Sequence, residues 1–517
     1  MPKKAIIARV LPVLAVAAVL ALSFLSPGKV QFNGRLVACP GYGYGYTTGP
    51  PSITSVNPIA GGIGGGTSVT ITGQGFCNFP SGVTFGGIPA TSFIENSDTQ
   101  IVAVSPAHAA GTVDVQVTNV AGTSAISAAD QFTYTTFTYY FQWFDRASPG
   151  MMNDNIHLIN TSGSTANIIV SLAGSSVVVP PLAPGAATFT SFASGMIGGP
   201  IVVNSDQPIL TSQRVQYYQS FNEVWGETAS QAALVSYFQW YDHASSPGFT
   251  NDNIHVLNPG TSIATVTITL GTSTTTLTIA PGAEGIRGFP GQIGGPVTVT
   301  SDVPVLASQR VQYFQSFNEV WAETAAQAAA VSYFNWFDKA SPGMMNDNIH
   351  LYNPGVTSAT VTVTLPGGAA SVGVIPAGTE GFISFPAGTI GGPVKVSSTL
   401  PVLASQRVQY YQSFNEVWAE TAAQATTTLH FAWYDFVSSP GFTNDNIHLL
   451  NPGVASVTVT VALPGATSQM VTVLAGSEGI VAFKGHIGGP VLITSTGNIL
   501  ASQRVQYYQS FNEIWGM

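Results

Sequence analysis

The chain has 517 residues, of which 45% are hydrophobic and only 7% charged, with 55 glycines and 33 prolines spread along it. Five of the 14 basic residues (Lys3, Lys4, Arg9, Lys29 and Arg35) precede residue 36 and all 24 acids follow it, so the remainder holds 24 acids against 9 bases, a net of −15. That balance repels phosphate backbones and excludes nucleic acid as a partner. Past the N-terminus no apolar run approaches the ~20 residues that a spanning helix needs.

Residues 1–25 read as a signal peptide or N-terminal anchor. Lys3, Lys4 and Arg9 form a basic start, and Val10–Leu25 is an unbroken apolar run that ends before Ser26-Pro27. Leu36-Val37-Ala38-Cys39 has the look of a lipobox, but the cysteine stands 14 residues past the apolar run. Residues 26–51 are a Gly/Tyr-rich linker whose GYGYGYTTGPP tract is too simple to pack a core. The only two cysteines, Cys39 and Cys77, are a candidate disulfide in an exported chain; the alternative is two unpaired thiols.

Residues 52–135 contain ITSVNPIAGGIGGGTSVTITGQGF, VTFGGIPAT and TQIVAVSPAHAAGTVDVQVTN, closed by FTY. Ser68–Thr72 and Val113–Thr118 alternate like half-buried strands, and glycines supply the turns between them. In this order the motifs resemble an IPT/TIG domain. The resemblance implies an immunoglobulin-like sandwich used as a spacer or interaction module.

The rest of the chain repeats itself four times, over 137–233, 234–329, 330–426 and 427–517. Trp143, Trp240, Trp336 and Trp433 open the copies at intervals of 97, 96 and 97 residues. Such a period is domain-sized, longer than a solenoid unit. Each copy shows short Val/Ile/Thr/Tyr runs between Asn-Pro-Gly, Pro-Gly and Gly-Gly-Pro turns, which predicts a β-sandwich. Expected strands lie at W-[FY]-D, DNIHLIN, TANIIVSL, a shorter pair before IGGP, PIVVNS and PILTSQRVQYY. The Ala-rich ETAAQAAAVS segment is the best candidate for a helix. The copies are similar to tandem β-sandwich repeats of secreted or wall-associated bacterial proteins. The expected architecture is therefore all-β: tandem immunoglobulin-like β-sandwich domains in an elongated array.

Charge is rare but fixed in place. Asp145, Asp242, Asp338 and Asp435 follow the first tryptophan; Asp154, Asp252, Asp347 and Asp445 sit in NDNIH. Arg214, Arg310, Arg407 and Arg504 lie in the long strand, and Glu223, Glu319, Glu416 and Glu513 precede the last tryptophan. In so uncharged a chain, this set is expected to form a structural ion cluster in each copy, a guanidinium bridging carboxylates. A second reading makes Asp145, Asp154 and Asn155 ligands for Ca²⁺, although NDNIH lacks the spacing of a dedicated calcium loop. His157, His255, His350 and His448 read as hydrogen-bonded strand histidines rather than zinc ligands.

The eight tryptophans, Trp143, Trp225, Trp240, Trp321, Trp336, Trp418, Trp433 and Trp515, fall two to a copy. They suit core or inter-domain packing; exposed beside Tyr217 and Tyr218 they would stack on sugars. The chain carries no hydrolase, metalloprotease or nucleotide-binding motif. The functional expectation is a non-enzymatic, exported, cell-surface structural or adhesion protein without a cofactor. Its expected partner is a glycan or protein of the cell envelope or extracellular space. The alternative is a multivalent carbohydrate-binding protein.

Overall fold

A computed structural model describes residues 29–32, 35–38, 49–76, 82–245, 248–438 and 441–517. Residues 1–25, expected to be a signal peptide or anchor, and Cys39 and Cys77 lie outside the described residues. Within the stretch expected to be a plain linker, Lys29–Phe32 pairs antiparallel with Arg35–Ala38. No helix among the described residues is long and apolar enough to cross a membrane. The chain divides into two compact units, Met1–Thr136 and Phe137–Met517.

In the first unit two sheets face each other. One joins Ser52–Asn57, Ser68–Gln74, Gln100–Val104 and Ser92–Ser97; the other is built on Gly111–Asn119, with Gly82–Phe85 and Gln131–Thr135 at its sides. Alternate residues point inward, so Val69, Ile71, Phe85, Ile101, Val115 and Phe132 form a sealed core. Ala60–Gly62 adds a parallel pairing to Thr133–Thr135. Gly65 and Gly86 take the positive φ that the turns require.

Each copy in the second unit is a two-sheet sandwich with its own core. In the first copy Phe137–Phe141, Ile201–Ser205, Ala166–Leu172 and Ser175–Leu182 make one sheet. Ala187–Thr190, Met151–Ile159, Leu210–Tyr217 and Ser220–Trp225 make the other. In copies two to four the last two predicted strands fuse into one of 17 residues, Val297–Tyr313, Val394–Tyr410 and Val491–Tyr507. Each begins in one sheet and ends in the other, which ties the two layers through the backbone.

Three features depart from the sequence reading. The Ala-rich segment holds only a turn of 3₁₀ helix, Ala325–Gln327, and then becomes the strand Ala329–Phe334 of the next sandwich. Gln327 closes that turn by accepting the Thr324 N–H, and the ladder to Val394–Tyr410 captures the rest. Alanine's helix preference is small beside a full set of ladder bonds. Second, SFNEVW, not anticipated as a strand, forms the edge strand Ser220–Trp225 and its three equivalents.

Third, the sandwiches are tandem in the chain but not strung out in space. Each SFNEVW strand packs on the one before and the one after, and the fourth packs on the first. The four copies therefore close into a ring, with these strands innermost. The indole N–H groups of Trp321, Trp418 and Trp515 donate to the carbonyls of Trp225, Trp321 and Trp418, and Trp225 donates to Trp515, each at 2.7 Å. The elongated array is corrected for these four copies. Each buries a sheet face that a string of beads would leave wet.

Candidate functional site at the copy-to-copy interfaces

The sheet carrying NDNIH and QRVQY turns opposite faces to two neighbourhoods. Asp154, Ile156 and Gln213 face the copy's own interior, while Asn155, His157, Arg214 and Phe221 face the preceding copy. Period-2 alternation along two adjacent strands makes that division.

The inward carboxylates are fully engaged. Asp154 accepts the Asp145 N–H at 2.9 Å and the Gln213 side-chain N–H at 2.7 Å, and is 0% exposed. Asp145 accepts the Ala147 and Ser148 N–H groups at 2.9 and 2.8 Å, which folds the SPG loop. Asp242 with Asp252, Asp338 with Asp347, and Asp435 with Asp445 repeat the bond between the two aspartates. Burial pushes Asp154, Asp252, Asp347 and Asp445 up to about 7, against hydrogen bonds that pull them down. Because these oxygens already accept N–H groups, a calcium ion at Asp145, Asp154 and Asn155 would first have to displace them. No group of three or more His, Cys, Asp or Glu among the described residues is placed to hold a metal.

The arginines pair differently from the sequence expectation of one cluster per copy. Arg214, Arg310, Arg407 and Arg504 lie 3.4, 3.2, 3.1 and 3.4 Å from Glu223, Glu319, Glu416 and Glu513 of their own strand pairs. Each also lies over the phenylalanine two residues before its glutamate, as Arg310 does over Phe317 at 4.7 Å. Their other contacts cross the interface. Arg310 donates to the Trp143 carbonyl at 3.0 Å and Arg407 to that of Trp240 at 3.3 Å. The positive charge of Arg310 bears on Asp154 of the preceding copy, and that of Arg214 on Asp445. The fixed charges thus form a circuit that runs from copy to copy.

The histidines join the same seams. The rings of His255, His350, His448 and His157 lie 5.7 Å from those of Trp143, Trp240, Trp336 and Trp433 of the preceding copy, the second pair tilted and the others T-shaped. His255, His350 and His448 also bond Glu284, Glu380 and Glu478, the second pair at 2.7 Å. Burial holds these histidines well below their ordinary range, and raises Glu284, Glu380 and Glu478 to about 9, 7 and 8. Sequence reasoning missed these glutamates, although AEG, TEG and SEG recur in copies two to four. The first copy has Ala187 at that register, and His157 stacks on Phe189 instead.

The IGGP turn completes the interface. A side chain on Gly199, Gly295 or Gly392 would strike the carbonyl of Gln142, Gln239 or Asn335 at 1.9–2.0 Å, so this close approach admits only glycine. Above it the seam opens into a hollow of about 230 Å³ between copies one and two. Trp143, Met151 and Ile197 line one wall; Asn253, Gln312 and Phe317 line the other. A matching hollow of about 210 Å³, with Trp240 and Arg407, lies between copies two and three. The outer tryptophans Trp143, Trp240, Trp336 and Trp433 are half-buried. At the hairpin tips Tyr217–Tyr218, Tyr313–Phe314, Tyr410–Tyr411 and Tyr507–Tyr508 form edge-to-face pairs at 4.8 Å. Tyr218, Phe314, Tyr411 and Tyr508 all adopt positive φ, an uncommon conformation for an aromatic residue, held by bonds from their N–H to Gly150, Gly248, Gly343 and Gly441.

Human Fibrocystin-L is 37% identical over 71 residues, 14% of this chain, and the chain spans 2% of that protein's length. Among solved structures, SGBP-B from a xyloglucan utilization locus in Bacteroides uniformis shares 13% identity, with 71% of this chain and 99% of that one covered, at a TM-score of 0.14. A tetra-tandem repeat from the extending region of a large adhesion protein shares 9%, covering 90% and 98%, also at 0.14. A gamma-CGTase from Alkalophilic bacillus clarkii matches with 18% identity over 35% of this chain and 25% of its own, at 0.17. Scores this low carry no argument about function. The model of the IPT/TIG domain matches residues 51–134, so the sandwich at the start of the chain is an IPT/TIG domain.

Proposed function

We propose that this is a non-enzymatic surface protein, exported, in which an IPT/TIG domain accompanies a four-sandwich ring that serves as a structural and adhesive platform. The observation that carries the reading is the use made of the fixed charges. Arg310, paired with Glu319 of its own copy, donates across the seam to Trp143; His255, bonded to Glu284 of its own copy, meets the Trp143 ring; and Asp154 is locked inside its own copy. Charge used to close a ring is architecture. The extracellular character of IPT/TIG domains supports export, and the signal-like residues 1–25 support it further.

A second reading has a specific observation behind it. The repeated hollows set an indole, a phenylalanine and carboxamides together, which is the chemistry of a weak sugar site. Two such sites on one ring would gain by avidity. A glycan array with tryptophan fluorescence separates the two. Absence of binding on every glycan, with the outer tryptophans unperturbed, leaves the structural platform. Binding that is lost in Trp143→Ala and Trp240→Ala favours the lectin. Release of sugar from a polymeric glycan by the purified chain would overturn both.

A further inference from the structure

The innermost strands Ser220–Trp225, Ser316–Trp321, Ser413–Trp418 and Ser510–Trp515 enclose the axis of the ring, each touching both neighbours. Asn222, Asn318, Asn415 and Asn512 occupy the same place in each strand and are at most 2% exposed. Equivalent places on four strands closed around one axis put four carboxamides at one level. Asn222 reaches across the boundary, its Oδ1 accepting the Glu319 N–H at 3.2 Å. In Asn318, Asn415 and Asn512 neither the oxygen nor the nitrogen of the side chain meets a partner among the described residues. A buried amide left unpaired costs free energy, and leaving three so, at equivalent positions, calls for one shared ligand.

The donor set defines that ligand. The oxygens are neutral, and the neighbouring carboxylates are already occupied: Glu319 by Arg310 and Ser308, Glu416 by Arg407 and Ser405. Calcium and magnesium favour carboxylates. A ring of uncharged carbonyl-type oxygens suits a monovalent cation, whose hydration shell it replaces. The terminal torsion of asparagine is soft, so each oxygen can turn toward the axis without moving the backbone. We propose that the ring binds one alkali-metal cation, sodium or potassium, on its axis through the unpaired side-chain oxygens of Asn318, Asn415 and Asn512.

The test is the melting temperature of the full chain in potassium, sodium and choline chloride at equal ionic strength. The expected Tm is about 2–4 °C higher in one alkali chloride than in choline, and saturates with concentration. Asn318→Leu/Asn415→Leu, which removes two ligands and two unpaired amides, is expected to abolish the difference. Rubidium anomalous scattering from a crystal of the unaltered chain gives a second readout that needs no variant, with a peak expected on the axis between the asparagines. Equal melting in the three chlorides overturns the proposal, as does an alkali effect that persists in the double variant. Rubidium peaks only elsewhere in the molecule overturn it too.

Discussion

Trp225 of the first copy donates its indole N–H to the main-chain carbonyl of Trp515, 290 residues away, at 2.7 Å. The same bond links each other pair of consecutive copies, and Trp225 and Trp418 also pack against the core of the sandwich before their own. A local element, the last residue of an edge strand, thereby becomes the hinge pin of a ring. Trp225→Ala is expected to cost about 3 kcal/mol, the lower range for a half-buried tryptophan. Urea unfolding followed by circular dichroism checks the loss, and calorimetry checks that Phe137–Met517 melts in a single transition.

Arg310 sets up the second prediction. Its removal leaves Glu319, 2% exposed, as a buried carboxylate without its counter-ion. Arg310→Ala is expected to destabilise by ~3–5 kcal/mol, whereas Arg310→Met/Glu319→Met, which removes both charges, is expected to recover most of it. A double-mutant cycle in denaturant reads the coupling. If the double variant is as unstable as the single, the pair is not what joins the copies.

Stability should fall as pH rises. Burial lifts Asp154, Asp252, Asp347 and Asp445 to about 7, Glu227 to about 8 and Glu420 to about 7, and Glu323 well above its usual range, with Glu227 and Glu420 adding repulsion. A carboxyl raised on folding binds its proton more tightly in the native state. Its contribution is complete below the unfolded value near 4 and is lost as pH climbs through 7–8. The Tm is expected to drop by about 5 °C or more between pH 5 and pH 8.5. Glu323→Gln should flatten that slope; a Tm that rises with pH would contradict the assignment.

The IGGP contact gives a steric prediction. A Cβ on Gly295 would stand 1.9 Å from the Gln239 carbonyl oxygen, a backbone atom that cannot swing aside. Gly295→Ala is expected to cost about 1–3 kcal/mol or more, as overpacking does. Gly163→Ala, where a Cβ meets open space, is expected to be neutral. Thermal melts of the two variants decide it.

The seam between copies four and one should open first. It has Ala187 where the other seams have a histidine-bonded glutamate, and Ser510 Oγ lacks the neighbouring N–H that Ser220, Ser316 and Ser413 accept. Hydrogen exchange is expected to be fastest in Phe221–Trp225 and slower in Phe317–Trp321 and Phe414–Trp418. Uniform protection of the inner strands would show that the seams are equal.

Much of this was legible from residues alone. Alternation in Ser68–Thr72 and in the NIIVSL and TVTITL runs fixed strands, because a period of two leaves one buried face whatever the surroundings. The fourfold repetition followed from the spacing of Trp143, Trp240, Trp336 and Trp433, and the scarcity of charge marked out Arg214 and its equivalents. Pairing was not legible. The partner of Arg310 across the seam is Trp143, 167 residues earlier, and nothing in either segment names the other. The Ala-rich stretch carried a local helix preference that a long-range ladder outweighed, and SFNEVW gave no alternation to separate an edge strand from a loop.

Sequence by itself therefore determined the module: an all-β unit, its core, its turns and the positions where charge was worth keeping. Only the tertiary structure decided that four modules close on themselves. Closure depends on the angle at which each sheet face meets the next, and that angle is set by packing between residues about 97 apart, where local chemistry has no reach.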